Sequence, residues 1–149
     1  MNGKDLAKYE DSWNAMISVL SEYDDSSQDP VLHEASLVFH YYSELESGGH
    51  EALMNRQEVY IEEIGIEVYA NKLVAILEKI GAPDYATIEN GSIREMWRLY
   101  VALGNDEMEE EAFYRLIEKA DADYHKLNGE LEKLLETYFM DVYADLHIS

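Results

Sequence analysis

The chain has no cysteine, which excludes disulfides, thiolate metal sites and a cysteine nucleophile while leaving the redox compartment open. Two prolines and eight glycines in 149 residues mean that breaks in regular structure are few. Bases are scarce as well: eleven Lys and Arg stand against 32 Asp and Glu, a formal charge of −21. Nucleic acid and anionic membranes repel such a chain, whereas basic proteins and cations attract it. No run approaches the ~20 apolar residues of a membrane span. The opening Met1-Asn2-Gly3-Lys4-Asp5-Leu6 lacks the continuous apolar stretch of a signal peptide. A cytoplasmic protein is expected, with neither nucleic acid nor membrane as its partner.

What is present points to a folded domain. Apolar residues make up 47% of the chain, too many for disorder despite the charge. The length suits one domain over residues 1–149, which can bury about 70% of its unfolded surface. Ordinary small domains carry a net charge of roughly 2–8 in magnitude, so −21 is a self-repulsion that invites explanation. Its distribution is uneven. Residues 22–67 hold twelve acids and one base, Arg56, residues 68–105 hold four of each, and residues 106–149 hold thirteen acids and four bases. Two acidic segments flank a neutral one.

The apolar period is helical nearly throughout. Leu6, Tyr9, Trp13, Met16, Ile17 and Leu20 lie on one face of a first helix, and the polar residues 23–29 form a loop. Asp29-Pro30 supplies a cap and a first-turn proline for a second helix, with Val31, Ala35, Val38, Tyr42 and Leu45 inward. Ser47-Gly48-Gly49 ends that helix. A third runs from about His50 to Ile64, and Gly65 breaks it before a fourth with Tyr69, Leu73, Ile76, Leu77 and Ile80 inward. Gly81-Ala82-Pro83 stops the fourth. Asn90-Gly91-Ser92 is a turn signal, followed by Ile93, Met96, Trp97 and Tyr100 at helical spacing. Two more helices carry Phe113, Leu116, Ile117, Ala120 and Tyr124, then Leu131, Leu134, Leu135, Tyr138 and Val142, with Asn128-Gly129 between them. The expected fold is an all-α bundle of six to seven helices.

The sequence offers little catalytic chemistry. None of the five histidines has a glutamate three residues before it, so the Glu-x-x-His pairs of a di-iron bundle are missing. Asp121 and His125 share a helical face and read as an exposed polar pair rather than as metal ligands. The run Asp121-Ala122-Asp123 starts like a calcium loop but meets Lys126 where glycine is required. There is no nucleophile elbow and no phosphate-cradling loop. A non-enzyme without cofactor or metal is expected.

The acidic rows carry more information. Glu58 and Glu62 are four apart, as are Glu63 and Glu67, and four residues of helix rise about 6 Å. Phosphates along one DNA strand recur about every 3.4 Å of axis, so alternate phosphates match that rise. Such rows persist although like charges at this spacing cost a few tenths of a kcal/mol per pair. Asp106, Glu107, Glu109, Glu110 and Glu111 put five acids in six positions, more than a helix dipole calls for. These nine residues are the expected partner-binding set. Twelve tyrosines mostly occupy core-facing positions. The adjacent Tyr41 and Tyr42 are expected at a subunit or partner contact, where tyrosine is enriched.

The segment Glu44-Leu45-Glu46-Ser47-Gly48-Gly49-His50-Glu51-Ala52-Leu53-Met54-Asn55 resembles a motif of the DNA-mimic-protein-like family of bacterial helical proteins. That motif reads Asn-Gly-Gly-[Phe/His]-x-Gln-[Tyr/Phe]-Phe-x-Asn. The Ile80-Gly81-Ala82 and Ala86-x-Ile88 block is similar to a second one in that family. Ser47 stands in place of the motif asparagine, and Glu51-Ala52-Leu53 in place of its Gln-aromatic-aromatic stretch. The resemblance implies an all-helical fold and, for the namesake, a homodimer whose acidic surface imitates DNA to sequester a transcription factor. Some members look like immunity proteins of toxin systems. The resemblance transfers no individual functional residue. Two readings stay open: an acidic protein that occupies the basic surface of a DNA-binding protein, and an inhibitor that plugs a basic toxin.

Overall fold

Pro30 opens the first helix described, as Asp29-Pro30 predicts, because a first-turn proline forfeits no helical hydrogen bond. The computed structural model describes residues 30–105, 110–127 and 129–147, together with Asn14 and Ser18; for residues 104–105 and 143–147 it describes backbone alone. The five helical elements are α1 (Pro30–Ile64), α2 (Ile66–Lys79), α3 (Pro83–Asn105), α4 (Glu110–His125) and α5 (Glu130–His147). No strand occurs among the described residues. The helix expected from Leu6, Tyr9, Trp13, Met16, Ile17 and Leu20 lies outside them, as does the loop over residues 23–29.

α1 is two arms rather than one rod. Gly49 has φ 74° and ψ −163°, a conformation essentially restricted to glycine, and it divides residues 30–48 from residues 50–64. The arms fold back on one another, so that His33 Nε2 lies 2.8 Å from the Tyr60 hydroxyl. α1 packs against α2, α4 and α5, and α3 lies between α2 and α4. The shared core includes Tyr41, Leu53, Tyr69, Leu73, Phe113 and Phe139. Each large apolar side chain buried this fully contributes about 1.5–3 kcal/mol relative to exposure. No helix among the described residues is long and apolar enough to cross a membrane.

The helical class is as expected, with three corrections. First, six to seven helices were expected, and the described residues form five elements. One expected helix, over residues 6–20, lies outside the described residues, and two others, over residues 30–48 and 50–64, are the arms of α1. In addition, Asn90-Gly91-Ser92 is no turn: α3 continues through it. A helical glycine costs about 1 kcal/mol relative to alanine. Tyr85, Ala86, Glu89, Ile93 and Met96, all buried, keep one stripe in register across the site and outweigh that cost. Arg94 also bridges the glycine, donating from Nη1 to the Asn90 carbonyl at 3.2 Å and side-chain oxygen at 3.0 Å. Second, Val31 is exposed rather than inward. Third, Tyr41 is fully buried and therefore unable to serve a partner contact; Tyr42 is half-buried against the core.

Tyrosine hydroxyls tie the layers together. Tyr85 accepts from the Leu131 backbone N–H at 3.0 Å, joining α3 to α5. Tyr138 donates to Glu34 at 3.0 Å and Tyr124 to Glu46 at 2.9 Å. Part of the acid content thus serves as acceptors for rim tyrosines, a structural use of carboxylates that composition does not reveal.

Candidate functional site

Two arrangements of charge stand out, one buried at the α1 bend and one exposed beside it. The buried one begins with the glycine pair. A Cβ on Gly48 would fall 2.7 Å from the Ala52 Cβ, and one on Gly49 would fall 2.5 Å from Asp121 Oδ2. The bend therefore requires both glycines, the second so that an α4 carboxylate can approach the backbone. Asp121 Oδ1 accepts from the His50 backbone N–H at 2.8 Å and from His50 Nδ1 at 2.6 Å. On the other side of the ring, His50 Nε2 donates to Glu89 at 2.8 and 3.0 Å. Glu89 also accepts from the Tyr41 hydroxyl at 2.6 Å. Carboxylates only accept, so both ring nitrogens must carry protons, and His50 is an imidazolium.

Burial works against that charge, yet the charge of Glu89 and the bonds to Asp121 and Glu89 raise the His50 pKa to about 9. Asp121 moves the opposite way. Burial alone raises it, but the bonds from the His50 ring and backbone hold it below its ordinary value. The cluster joins α1, α3 and α4 through one imidazole. Among the described residues no group of three or more His, Asp or Glu could hold a metal. Asp121 is consequently not the exposed partner of His125 that the sequence suggests. It is a half-buried acceptor for His50, and only His125 remains exposed.

The exposed arrangement lies on the arm 50–64. Glu51, Asn55, Glu58 and Glu62 recur at spacings of four, three and four, which places them on one helical stripe. The Tyr100 hydroxyl of α3 sits 3.0 Å from Asn55 Oδ1 and 3.2 Å from Glu58 Oε2, sharing its proton between them. Burial, followed by the charges of Glu58, Glu62 and Glu51, raises the Tyr100 pKa. Tyr114 of α4 bonds to Glu51, and that bond and charge, with a lesser effect from Glu110, raise its pKa as well. Glu51, Glu58 and Glu62 thus form an acidic ridge along Tyr100, and Tyr114, bonded to Glu51, carries it to Glu110 of the second acidic segment, one turn away on α4.

The nine expected partner-binding residues divide accordingly. Glu58, Glu62 and Glu110 belong to the ridge. Glu63 is exposed but lies about 100° further round the helix than Glu62. Glu67 is bound by Arg94 at 2.8 Å and Glu111 by Arg115 at 2.7 Å, so these two carboxylates are locally neutralised. Asp106, Glu107 and Glu109 lie outside the described residues. The sequence reading missed Glu51 of the ridge, and His50, Glu89 and Asp121 as a group. Glu89 had a signal: it is an acid on the buried stripe of Tyr85, Ile93 and Met96. The partnership of His50 with Asp121 spans 71 residues and has no local signature.

Comparison with protein-family models matches residues 26–142 to the DMP19-like protein model. Comparisons with curated proteins and with solved structures return no match.

Proposed function

The chain belongs to the DMP19-like protein family, and on that premise we propose that it is a non-catalytic binding protein whose acidic ridge occupies the basic, DNA-binding surface of a protein partner. The observation that carries this reading is the stripe of Glu51, Glu58 and Glu62 along Tyr100, joined through the Glu51–Tyr114 bond to the helix that carries Glu110. Charges on one ridge can meet a row of lysines and arginines at once. Tyr100 and Tyr114 add rigid aromatic surface with little conformational entropy to lose. The formal charge of −21 steers basic partners toward the chain over distances that salt screens within about 8 Å at physiological ionic strength.

The test is affinity capture from the native host with the full chain, elution by a salt gradient, and competition by duplex DNA. The reading expects a basic DNA-binding protein, released early in the gradient and displaced by DNA. Combined reversal of Glu51, Glu58, Glu62 and Glu110 to lysine should abolish capture. A partner that binds the reversed variant equally well at high salt, or that binds DNA and this chain simultaneously, refutes it. Recovery of a toxin's catalytic domain would favour the immunity reading instead.

A further inference from the structure

The ridge leaves the buried cluster at the α1 bend unused, and that cluster has an unusual construction. One imidazole is sandwiched between two carboxylates from different helices. One of them, Glu89, is fully enclosed. The other, Asp121, reaches the ring only because residue 49 lacks a Cβ. Only a cationic ring can donate from both nitrogens, so the bend, α3 and α4 are held by a single proton.

We propose that this proton is a lock on the fold: while His50 is charged, the turn at Gly48-Gly49 is pinned to α3 and α4, and when the charge is lost the bend opens ahead of the rest of the bundle. A neutral imidazole donates from one nitrogen only, so its other nitrogen must face an acceptor-only oxygen. Two carboxylates then confront each other across an uncharged ring, one of them without solvent access. Burial opposes the charge, and the carboxylates on either side of the ring favour it. On α3, Glu89 faces the ring directly; on the first arm of α1, Tyr41 donates to Glu89. On α4, Asp121 faces the ring, His125 adds its field to Asp121, and Tyr124 packs edge-on against Tyr41. On α2, Tyr69 feels the charge of Glu89. Apart from exposed His125, which acts on Asp121, none of these groups supplies a second cation, and nothing but the ring bonds Asp121 and Glu89 at once.

The lock does not depend on the partner. It concerns the bend itself, and its failure would leave the reading of the ridge intact. At neutral pH it is closed, which holds the first turn of the arm 50–64, including Glu51, against α4. Opening it by alkali, or by a variant, releases that turn while the α2–α3 pair stays protected. Such sub-global opening is the kind that amide exchange resolves.

The experiment is an NMR titration of the full chain labelled at its histidines, combined with hydrogen exchange read at single amides. His50 should titrate near pH 9 rather than near the 6.5 of an ordinary histidine. Corrected for intrinsic base catalysis, the amides of His50 to Leu53 should lose at least tenfold protection across that same transition. Amides of Leu73 and Ile76 in α2 should not. Glu89→Gln and Asp121→Asn should each move both the ring titration and the loss of protection to lower pH together. If either variant fails to fold, the titration of the parent chain decides alone. A His50 ring that titrates near 6.5, or bend amides whose protection ignores its titration, overturns the proposal.

Discussion

Raising the pH from 6.5 to 9.5 should weaken the whole protein through His50 before the buried tyrosines contribute. Below pH 6.5 the imidazole is protonated in both the folded and the unfolded chain, and the stabilisation from Glu89 and Asp121 is complete. Between 6.5 and about 9 the unfolded chain has released the proton while the folded chain retains it. Folding then takes up a proton, so stability falls as pH rises. The rise from 6.5 to about 9, at about 1.4 kcal/mol per pH unit, amounts to about 3 kcal/mol. That is a large share of the roughly 5–15 kcal/mol that holds a typical domain. Tyr41, Tyr69, Tyr124 and Tyr138 have raised pKa values, so they ionise first in the unfolded chain. Their loss therefore begins only near pH 10 and leaves the window below it to His50. Urea denaturation followed by circular dichroism, at about 0.15 M salt, should show a midpoint that falls by about 1–3 M across the window, given an ordinary urea slope of roughly 1–3 kcal/mol/M. His50→Gln should be less stable at neutral pH and nearly flat with pH. A midpoint of the parent chain that is constant or rising between pH 7 and 9, or an equal slope in His50→Gln, would refute the reasoning.

Three further outcomes follow from the geometry. Gly65→Ala meets no atom within 4 Å at φ 89° and should cost about 1–3 kcal/mol for backbone strain alone. Gly49→Ala adds a collision with Asp121 and should lose at least about 2 kcal/mol more, because it displaces the half-buried carboxylate from the buried, charged His50; equal thermal shifts for the two would contradict the close approach. Tyr41→Phe removes a donor from buried Glu89 and should cost about 1–3 kcal/mol, whereas Tyr69→Phe should be neutral or stabilising. The Tyr69 hydroxyl is buried without a hydrogen-bond partner among the described residues, and urea midpoints of the two variants compare them directly. Glu62→Lys relieves like-charge repulsion with Glu58 and should leave stability unchanged or raise it by a few tenths of a kcal/mol, so the melting temperature should not fall. Loss of partner binding in that variant would then not be a folding defect, and a clear drop in melting temperature would argue against the ridge geometry.

The candidate site was legible in unequal parts. Rows of acids four apart are visible in any reading, and Glu58 with Glu62 does lie on an exposed stripe. Their relation to Glu110 was not visible, because it depends on α4 crossing the arm 50–64 beside Tyr100 and Tyr114. Nor could local spacing show that Arg94, 27 residues from Glu67, would neutralise it. Arg94 is one helix away in space, and an ion pair between helices leaves no trace in either helix's own period. The glycine pair was read as a helix stop, which is correct locally. Its second purpose, admitting Asp121, belongs to another helix.

What the amino-acid order determined by itself was the helical period, the places where glycine and proline interrupt it, and the excess of negative charge. The first two follow from interactions between residues within a turn or two of one another, and the third is composition alone. Tertiary structure decided which carboxylates remain available and which are consumed. Glu46 and Glu34 accept from tyrosines, Glu67 holds Arg94 of another helix, and Glu89 and Asp121 clasp His50, whereas Glu111 meets Arg115 one turn away within its own helix. The physical reason is range: helix formation is settled among near neighbours, while burial and ion pairing depend on which helix faces pack together.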